Sequence, residues 1–433
     1  MTSELHRRHQ AVMPSWLSLY YDEPIALVRG EGRRVWDADG NSYLDFFGGI
    51  LTTMSGYNVP EIVEAIREQA GKMLHTSTLY LIESQIELAE RIAELAPVDD
   101  RDGTEPAKVF FVASGTEAID AALLLATSHR RSNQVLAMRN SYHGRSFSAI
   151  SITGNRSWSA SSFSPLQVSY VHGGYPYRSP FGHLSENDYI AACADDLRDI
   201  ITTATSGDVA CLIAEPIQGV GGFATPPDGL YRAFDEVLDE FGIPFISDET
   251  QTGWGRTGEH FWGIDAHGVR PDIMTFAKGI GNGLALAGVV ARAGIMDALP
   301  ANSISTFGGN PLATRGALAN LAYLLDNDLQ ANALKLGDHL KHALLDLRAG
   351  HPIVGDVRGK GLMLGVELVE PGSKAPNPPA ASVVMEACKR RGLLVGKGGL
   401  FGNVLRIAPP LTVTLGETDE AGETLAAAIA EAS

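Results

Sequence analysis

Cysteine is scarce in this chain. Its three residues of 433, Cys193, Cys211 and Cys388, are odd in number and far apart, so they form neither a disulfide framework nor a Cys/His cluster of metal-ligand spacing. No metal site is expected, and reduced, buried thiols in the cytoplasm are the default. Positive charge is short as well, with 34 Lys and Arg against 51 Asp and Glu, a net charge of −17. A nucleic-acid surface needs clustered cations to displace counterions, so that class of partner is excluded. Long apolar runs are missing too. Nothing approaches the roughly 18 consecutive apolar residues of a membrane helix, and the first twenty residues carry Glu4, His6, Arg7, Arg8 and His9 in place of a signal peptide's apolar centre. A soluble, cytoplasmic protein with no membrane partner is expected. Internal repeats are absent, and the one biased stretch, Ala421 to Ala432, reads as a terminal helix.

What is present is enough apolar residue, 45% of the chain, to bury two adjoining cores. From residue 108 onward short apolar runs alternate with amphipathic segments. Lys108 to Val112, Gln134 to Met138, Val209 to Ala214, Pro244 to Ser247 and Ile273 to Ala277 read as strands. Glu117 to His129 and Leu230 to Phe241 read as helices. Strands separated by helices make βαβ units, hence an α/β fold on a mostly parallel sheet buried on both faces. After Pro311 the pattern becomes two long helical stretches, Leu312 to Leu325 and Leu334 to Leu347. Strand-like Gly361 to Leu368 and Val404 to Ile407 follow, with Pro371 to Pro379 as an exposed loop between them. This predicts a large domain over 61–309 and a smaller α+β domain over 310–433, joined by the strand-and-turn pattern of segment 1–60.

Four short sequences stand where a doubly wound sheet places ligands, at the carboxyl ends of strands. Ser114-Gly115-Thr116-Glu117 opens a helix, which suits either a phosphate dianion on free backbone N–H groups or a plain N-cap. Asp248, in Ser247-Asp248-Glu249-Thr250-Gln251, is a cap, a metal ligand, or an acid that holds a proton on a ring nitrogen, with the Gln251 amide near a ring oxygen. Lys278, in Ala277-Lys278-Gly279-Ile280-Gly281, is a solvated charge or an amine nucleophile for Schiff-base chemistry, and it is not a Walker lysine because its glycines follow it. Ser305-Thr306-Phe307-Gly308-Gly309-Asn310-Pro311 is a helix start that also offers a hydroxyl and amides to an anion. Taken together, a phosphate cup, a ring-nitrogen acid and a Schiff-base lysine are what a pyridoxal phosphate site must supply.

These residues resemble the class III aminotransferases among the fold type I pyridoxal-phosphate enzymes. The likeness runs from Trp36-Asp37-Ala38-Asp39-Gly40 and Tyr43-Leu44-Asp45, through the four motifs, to Asp356-Val357-Arg358-Gly359-Lys360-Gly361 and Leu405-Arg406-Ile407-Ala408-Pro409-Pro410. It implies a seven-stranded sheet, an obligate homodimer or a tetramer, and ping-pong transfer of an amino group from an amino acid or ω-amino compound to a 2-oxo acid such as pyruvate, glyoxylate or 2-oxoglutarate. It also implies roles. Lys278 would be the Schiff-base lysine and proton carrier, Asp248 the partner of the pyridine nitrogen, Gln251 that of the ring hydroxyl, and Tyr142 the stacking ring, with His143 and Glu215 also at the cofactor. Ser114, Gly115 and Thr116 would hold the phosphate with Thr306 of the neighbouring subunit. Arg406 would clamp the substrate carboxylate and be neutralised by Glu215 when none is present. Arg145 and Ile50 would face substrate, with Leu51 and Tyr80 as further wall residues. The stretch from Leu19-Tyr20-Tyr21 to Phe47-Gly48-Gly49-Ile50 is most similar to the alanine–glyoxylate aminotransferase 2 branch, whereas Arg145 is similar to the 4-aminobutyrate branch. Gly56-Tyr57-Asn58-Val59-Pro60 and Ile119 depart from the family pattern near the substrate wall. Decarboxylation-dependent transamination of the dialkylglycine decarboxylase type and an aminomutase are the alternatives within the same cofactor chemistry.

Overall fold

Seven short strands form the central sheet of the computed structural model, which describes residues 2–98 and 106–433. Their order is Lys108–Val112, Ala287–Ala291, Ile273–Phe276, Phe245–Asp248, Cys211–Ala214, Gln134–Met138 and Gln167–Val171. Neighbouring strands are parallel from Ile273–Phe276 through to Gln167–Val171. Ala287–Ala291 alone is reversed, antiparallel to both of its neighbours. That strand and Gln167–Val171 were not legible in the pattern. Ala287–Ala291 is buried at every position, so it has no polar alternation to mark it.

Side chains alternate across a strand, and the core divides accordingly. Leu136, Met138, Leu212, Phe245, Met274 and Phe276 join one cluster, with Leu197 of helix Glu186–Ala204 and Phe234 of helix Leu230–Phe241. Val135, Ala137, Ile213, Ile246 and Ile273 join the other, with Ala122 and Leu125 of helix Gly115–Arg130. Helices therefore cover both faces, and the carboxyl ends of six codirectional strands line up along one edge.

Two four-stranded sheets flank this layer. One is ordered Leu27–Glu31, Arg34–Asp37, Ser42–Asp45, Leu393–Leu394, so the chain's beginning and end share a sheet through the parallel pair Leu44 and Leu393. The other joins Val354–Lys360, Met363–Leu368, Val404–Ile407 and Gly396–Gly398. The expected loop at 371–379 is shorter than its composition indicated: Pro378 and Pro379 open helix Pro378–Arg390, capped by Asn377, because proline suits a first turn where no N–H is needed. Among the described residues no helix is long and apolar enough to cross a membrane, and no group of three or more His, Cys, Asp or Glu is arranged to hold a metal.

Candidate active site

The edge where strands end opens into a cavity of about 450 Å³. Three of the four motifs meet there. Asp248 ends its strand opposite Thr275 in the parallel register, and Lys278 follows that second strand two residues beyond Phe276. Both side chains are buried against the cavity. The thirty residues between them in sequence thus collapse to neighbouring strand ends.

Lys278 sits in the left-handed region with φ 48°, a conformation that costs a non-glycine residue roughly 1–2 kcal/mol. The turn is held there from outside: Asn320 Nδ2 donates to the carbonyls of Gly279 at 2.9 Å and Ile280 at 3.0 Å. Burial brings the Lys278 amine from 10.5 down to about 8, opposed by the charges of Asp248 and Glu215.

Asp248 keeps its charge by a different balance. Burial pushes its carboxyl up, but the bond and charge of His143 and the bonds from Thr250 outweigh it, and the pKa lies below the ordinary value. His143 Nδ1 and Asp248 Oδ2 are 2.8 Å apart, and the histidine is buried. Asp248 Oδ1 accepts from Thr250 N and Thr275 Oγ1, both at 3.1 Å. Sequence reasoning had set His143 at the cofactor; the geometry gives it a definite partner, the carboxylate behind.

The helix start at 114–117 divides its donors. Ser114 caps the helix by accepting from Glu117 N at 3.4 Å. Thr116 Oγ1 accepts from Arg145 N and Ser146 N and donates to Ser146 Oγ at 3.1 Å. The Thr116 hydroxyl is therefore committed within the chain, whereas Ser114 Oγ only accepts. The backbone N–H groups of Gly115 and Thr116 are left at the positive end of a 16-residue helix, facing the cavity. Gly144 is required beside them, because at φ 129° a Cβ would lie 2.5 Å from Thr116 Oγ1.

The remaining predicted residues need correction. In this structure Glu215 acts on Arg406 through its charge and makes no bond to it. Its Oε1 accepts from Tyr142 N at 2.9 Å and its Oε2 from Gly219 N at 2.8 Å, and burial raises its pKa to about 7. Arg406 instead donates Nη2 to Gln251 Oε1 at 2.8 Å, with its guanidinium 5.2 Å from the Phe47 ring and 4.7 Å from the Phe223 ring. Gln251 lines the cavity and Arg406 stands behind it. Gly398 makes this possible, since a Cβ there would come within 2.6 Å of Arg406 Cδ.

Ile50 is also misplaced by the sequence reading. Residues 48–51 all have positive φ; this left-handed run leaves Ile50 44% exposed and outside the cavity wall, buries Leu51 with Phe47 and Phe223, and brings Thr52 to the wall. Tyr80 and Thr306 are exposed and do not line the cavity of their own chain. Asn310 caps the helix that Pro311 opens, so in the fourth motif the helix-start reading holds within one chain. Missed altogether were two aromatics at the mouth. Trp158 meets Tyr142 edge-on at 5.4 Å, and Trp16 lies 5.4 Å from the Arg145 guanidinium. Neither belongs to a motif, and no spacing could have found them.

This arrangement fits pyridoxal phosphate: an amine of lowered basicity, an ionised buried acid on the next strand, and two uncommitted amides at a helix start are each matched to one part of the cofactor. Comparison with known proteins agrees. The class-III aminotransferase family model matches residues 19–429. Alanine–glyoxylate aminotransferase 2 homolog 2 of Arabidopsis thaliana is 40% identical over 96% of this chain and 84% of its own length. Leucine/methionine racemase of Thermococcus litoralis is 36% identical over 99% of this chain and 95% of its own. An amine transaminase from an uncultivated Pseudomonas species, solved with pyridoxal phosphate bound, superposes with a TM-score of 0.89 at 30% identity, over 98% of each chain. A match of that extent, on a sheet whose strand ends already set the lysine beside the acid, makes this chain a member of the class-III aminotransferase family, a pyridoxal-phosphate-dependent transferase.

Proposed function

We propose that the enzyme alternates between an amino donor bearing a carboxylate and a small 2-oxo acid, with Arg406 as the carboxylate site for both. The observation that carries this reading is that Arg406, a buried guanidinium, has among the described residues only the neutral Gln251 amide as a bonded partner. Burial lowers its pKa, so a bound anion is stabilised twice over, by the charge and by the absence of competing water.

Pyridoxal phosphate, when bound, supplies an aldehyde that takes up the amino group and a ring that accepts the electron pair released at the donor's α-carbon. The chain's residues do the rest. The amides of Gly115 and Thr116 would bind the phosphate, Tyr142 would lie beside the ring, and Asp248, ionised by His143, would hold a proton on the ring nitrogen. Lys278 Nζ, at about 8, has an appreciable neutral fraction near neutrality and takes the proton from the amino-bearing carbon. Glu215 orders the Tyr142 backbone through Oε1.

Two copies would complete the site. Leu79, Tyr80 and Leu81 are 66%, 69% and 93% exposed, and Phe307, 62% exposed, lies 5.0 Å from the His75 ring. An apolar patch of this kind on an acidic chain supports a homodimer face that carries Thr306 into the partner's site. Leu81→Glu with Phe307→Glu should yield monomers by light scattering and weaken cofactor retention.

The decisive assay is a half-reaction screen. Mixing holoenzyme with α-amino acids, ω-amino acids and simple amines, without acceptor, should bleach its visible absorbance most readily for carboxylate-bearing donors. Equal bleaching by amines that lack a carboxylate would reject Arg406 as the clamp. Because one relative is a racemase, L-alanine incubated without acceptor is checked for D-alanine; its accumulation at the transamination rate would reject the acceptor-dependent reading.

A further inference from the structure

Arg145 is an exposed cation of the cavity wall. Its backbone is fixed by the bond from its N to Thr116 Oγ1 at 3.2 Å. Acids outnumber bases 51 to 34 in this chain, and several arginines take carboxylates, as in Arg33 with Glu417, Arg292 with Asp272 and Arg358 with Glu367. Among the described residues no carboxylate forms an ion pair with Arg145. What it has is the face of Trp16, 5.4 Å from its Cζ.

Trp16 comes from a lightly held segment. The preceding helix, Thr2–Val12, buries no residue, and Met13, Trp16, Leu17 and Leu19 are 50%, 69%, 46% and 44% exposed. The helix is tied at its start by Thr2 Oγ1 donating to Asp39 Oδ2 at 2.7 Å, and the chain is held again beyond Trp16, where the Tyr20 ring lies 5.5 Å from Phe47 and its hydroxyl donates to the Lys397 carbonyl at 3.4 Å. Trp16 is thus an indole that can leave its guanidinium while the segment stays tethered at Tyr20.

We infer that Trp16 is a specificity-determining residue for the amino acceptor: it holds Arg145, a residue of the cavity wall, by a cation–π contact, so a second carboxylate on the substrate must weaken that contact to bind the guanidinium, whereas a monocarboxylate leaves it undisturbed. A carboxylate binds guanidinium through two charge-assisted hydrogen bonds and outcompetes an aromatic face, so dicarboxylates are admitted at a cost and not excluded. An exposed cation–π contact sets that cost at about two- to fivefold in affinity. Trp16 therefore shifts acceptor preference by about two- to fivefold towards small 2-oxo monoacids, of which pyruvate and glyoxylate are examples, relative to 2-oxo diacids. This rests on the reading above, in which substrate lies between Lys278 and the mouth.

The test uses holoenzyme with one donor and two acceptors. In Trp16→Ala the KM for 2-oxoglutarate should fall about two- to fivefold while that for pyruvate stays unchanged. Trp16→Phe should lie between, and in the Arg145→Ala background the Trp16 substitution should have no effect. Equal changes for both acceptors, or an effect that persists without Arg145, would overturn the inference. A second arm needs no turnover and so separates this idea from the proposed function: glutarate, but not acetate, should change the tryptophan fluorescence of the wild-type enzyme and not of Trp16→Phe. The same glutarate response in both proteins would also overturn it.

Discussion

Replacing Gln251 by Glu is the sharpest probe of how Arg406 works. The amide oxygen already lies 2.8 Å from Nη2, so the substitution puts a carboxylate in the same place with almost no change of shape. Two opposite charges about 4 Å apart attract by about 4 kcal/mol at an effective dielectric near 20, against about 1.5–3 kcal/mol for the hydrogen bond of a charged group to a neutral one. The difference, about 1–2.5 kcal/mol, must be overcome by any substrate carboxylate that takes Arg406. It corresponds to a KM increase of about five- to seventyfold for alanine and pyruvate. A donor without a carboxylate, such as 1-phenylethylamine, does not compete with the new ion pair, and its KM should hold within about twofold. Initial-rate kinetics with saturating cofactor decide the matter. A parallel rise for the amine would mean that the substitution damages the cofactor site generally, and an unchanged KM for pyruvate would mean that Arg406 does not bind the acceptor. Either result refutes the clamp.

Other consequences follow from charges and contacts. The Lys278 amine is at about 8 when folded and 10.5 when exposed, so below pH 8 the unfolded chain holds the proton more tightly and burial of the charged amine opposes folding by about 3 kcal/mol. Lys278→Met should therefore stabilise the apoenzyme to urea at pH 7, with the advantage shrinking as pH rises from 8 towards 10.5; a constant difference would contradict the depressed value. The rate at which apoenzyme regains its visible band on addition of pyridoxal phosphate should likewise climb through about pH 8 and then level off. His143→Phe removes the 2.8 Å partner of a buried carboxylate and should cost about 3–5 kcal/mol in urea stability, while adding it to Asp248→Asn should cost far less than the sum. Gly144→Ala would force a Cβ to 2.5 Å from Thr116 Oγ1 and should weaken cofactor retention by roughly 1–3 kcal/mol, read by equilibrium dialysis.

Much of this site was legible because strand ends are legible. A short apolar run such as Val109 to Val112, followed by Ala-Ser-Gly-Thr, fixes both where a strand stops and what its end presents. The same holds for Phe245–Asp248, whose last residue is the acid itself. Which polar groups pair across the cavity was not legible. The sequence pattern pairs Glu215 with Arg406 and sets Gln251 at the ring hydroxyl, but Gly219 N and Tyr142 N point at Glu215 and consume its oxygens, and Gln251 is left to bond Arg406. Ser114 and Thr116 have the composition of an anion cup, yet a hydroxyl at a helix start is drawn first to the N–H groups beside it, and only the remaining amides face outward. The mouth aromatics were invisible because Trp16 and Trp158 reach it from segments without any period or motif.

Ile50, Leu51, Phe223, Trp254, Lys278 and Asn282 all hold positive φ without being glycine, and three of them flank the lysine turn or the segment laid against it. Each costs about 1–2 kcal/mol, and such conformations persist only where the surroundings over-determine them. Here the restraints are shared between distant parts of the chain. Asn282 Oδ1 accepts from Ser55 N at 2.9 Å and its Nδ2 donates to the Gly56 carbonyl at 3.1 Å. Ser55 Oγ donates to Asn320 Oδ1 at 2.7 Å, and Asn320 in turn grips the carbonyls that follow Lys278. At the other end of the 48–51 run, Asp45 Oδ1 accepts from the amides of Phe47 and Gly48. The left-handed lysine and the left-handed turn are therefore one strained unit pinned by buried amides. Asn320→Leu, far from any substrate, should release Lys278 towards the ordinary region and reduce kcat more than KM. If the turn were held by its own glycines alone, that substitution would leave kcat untouched.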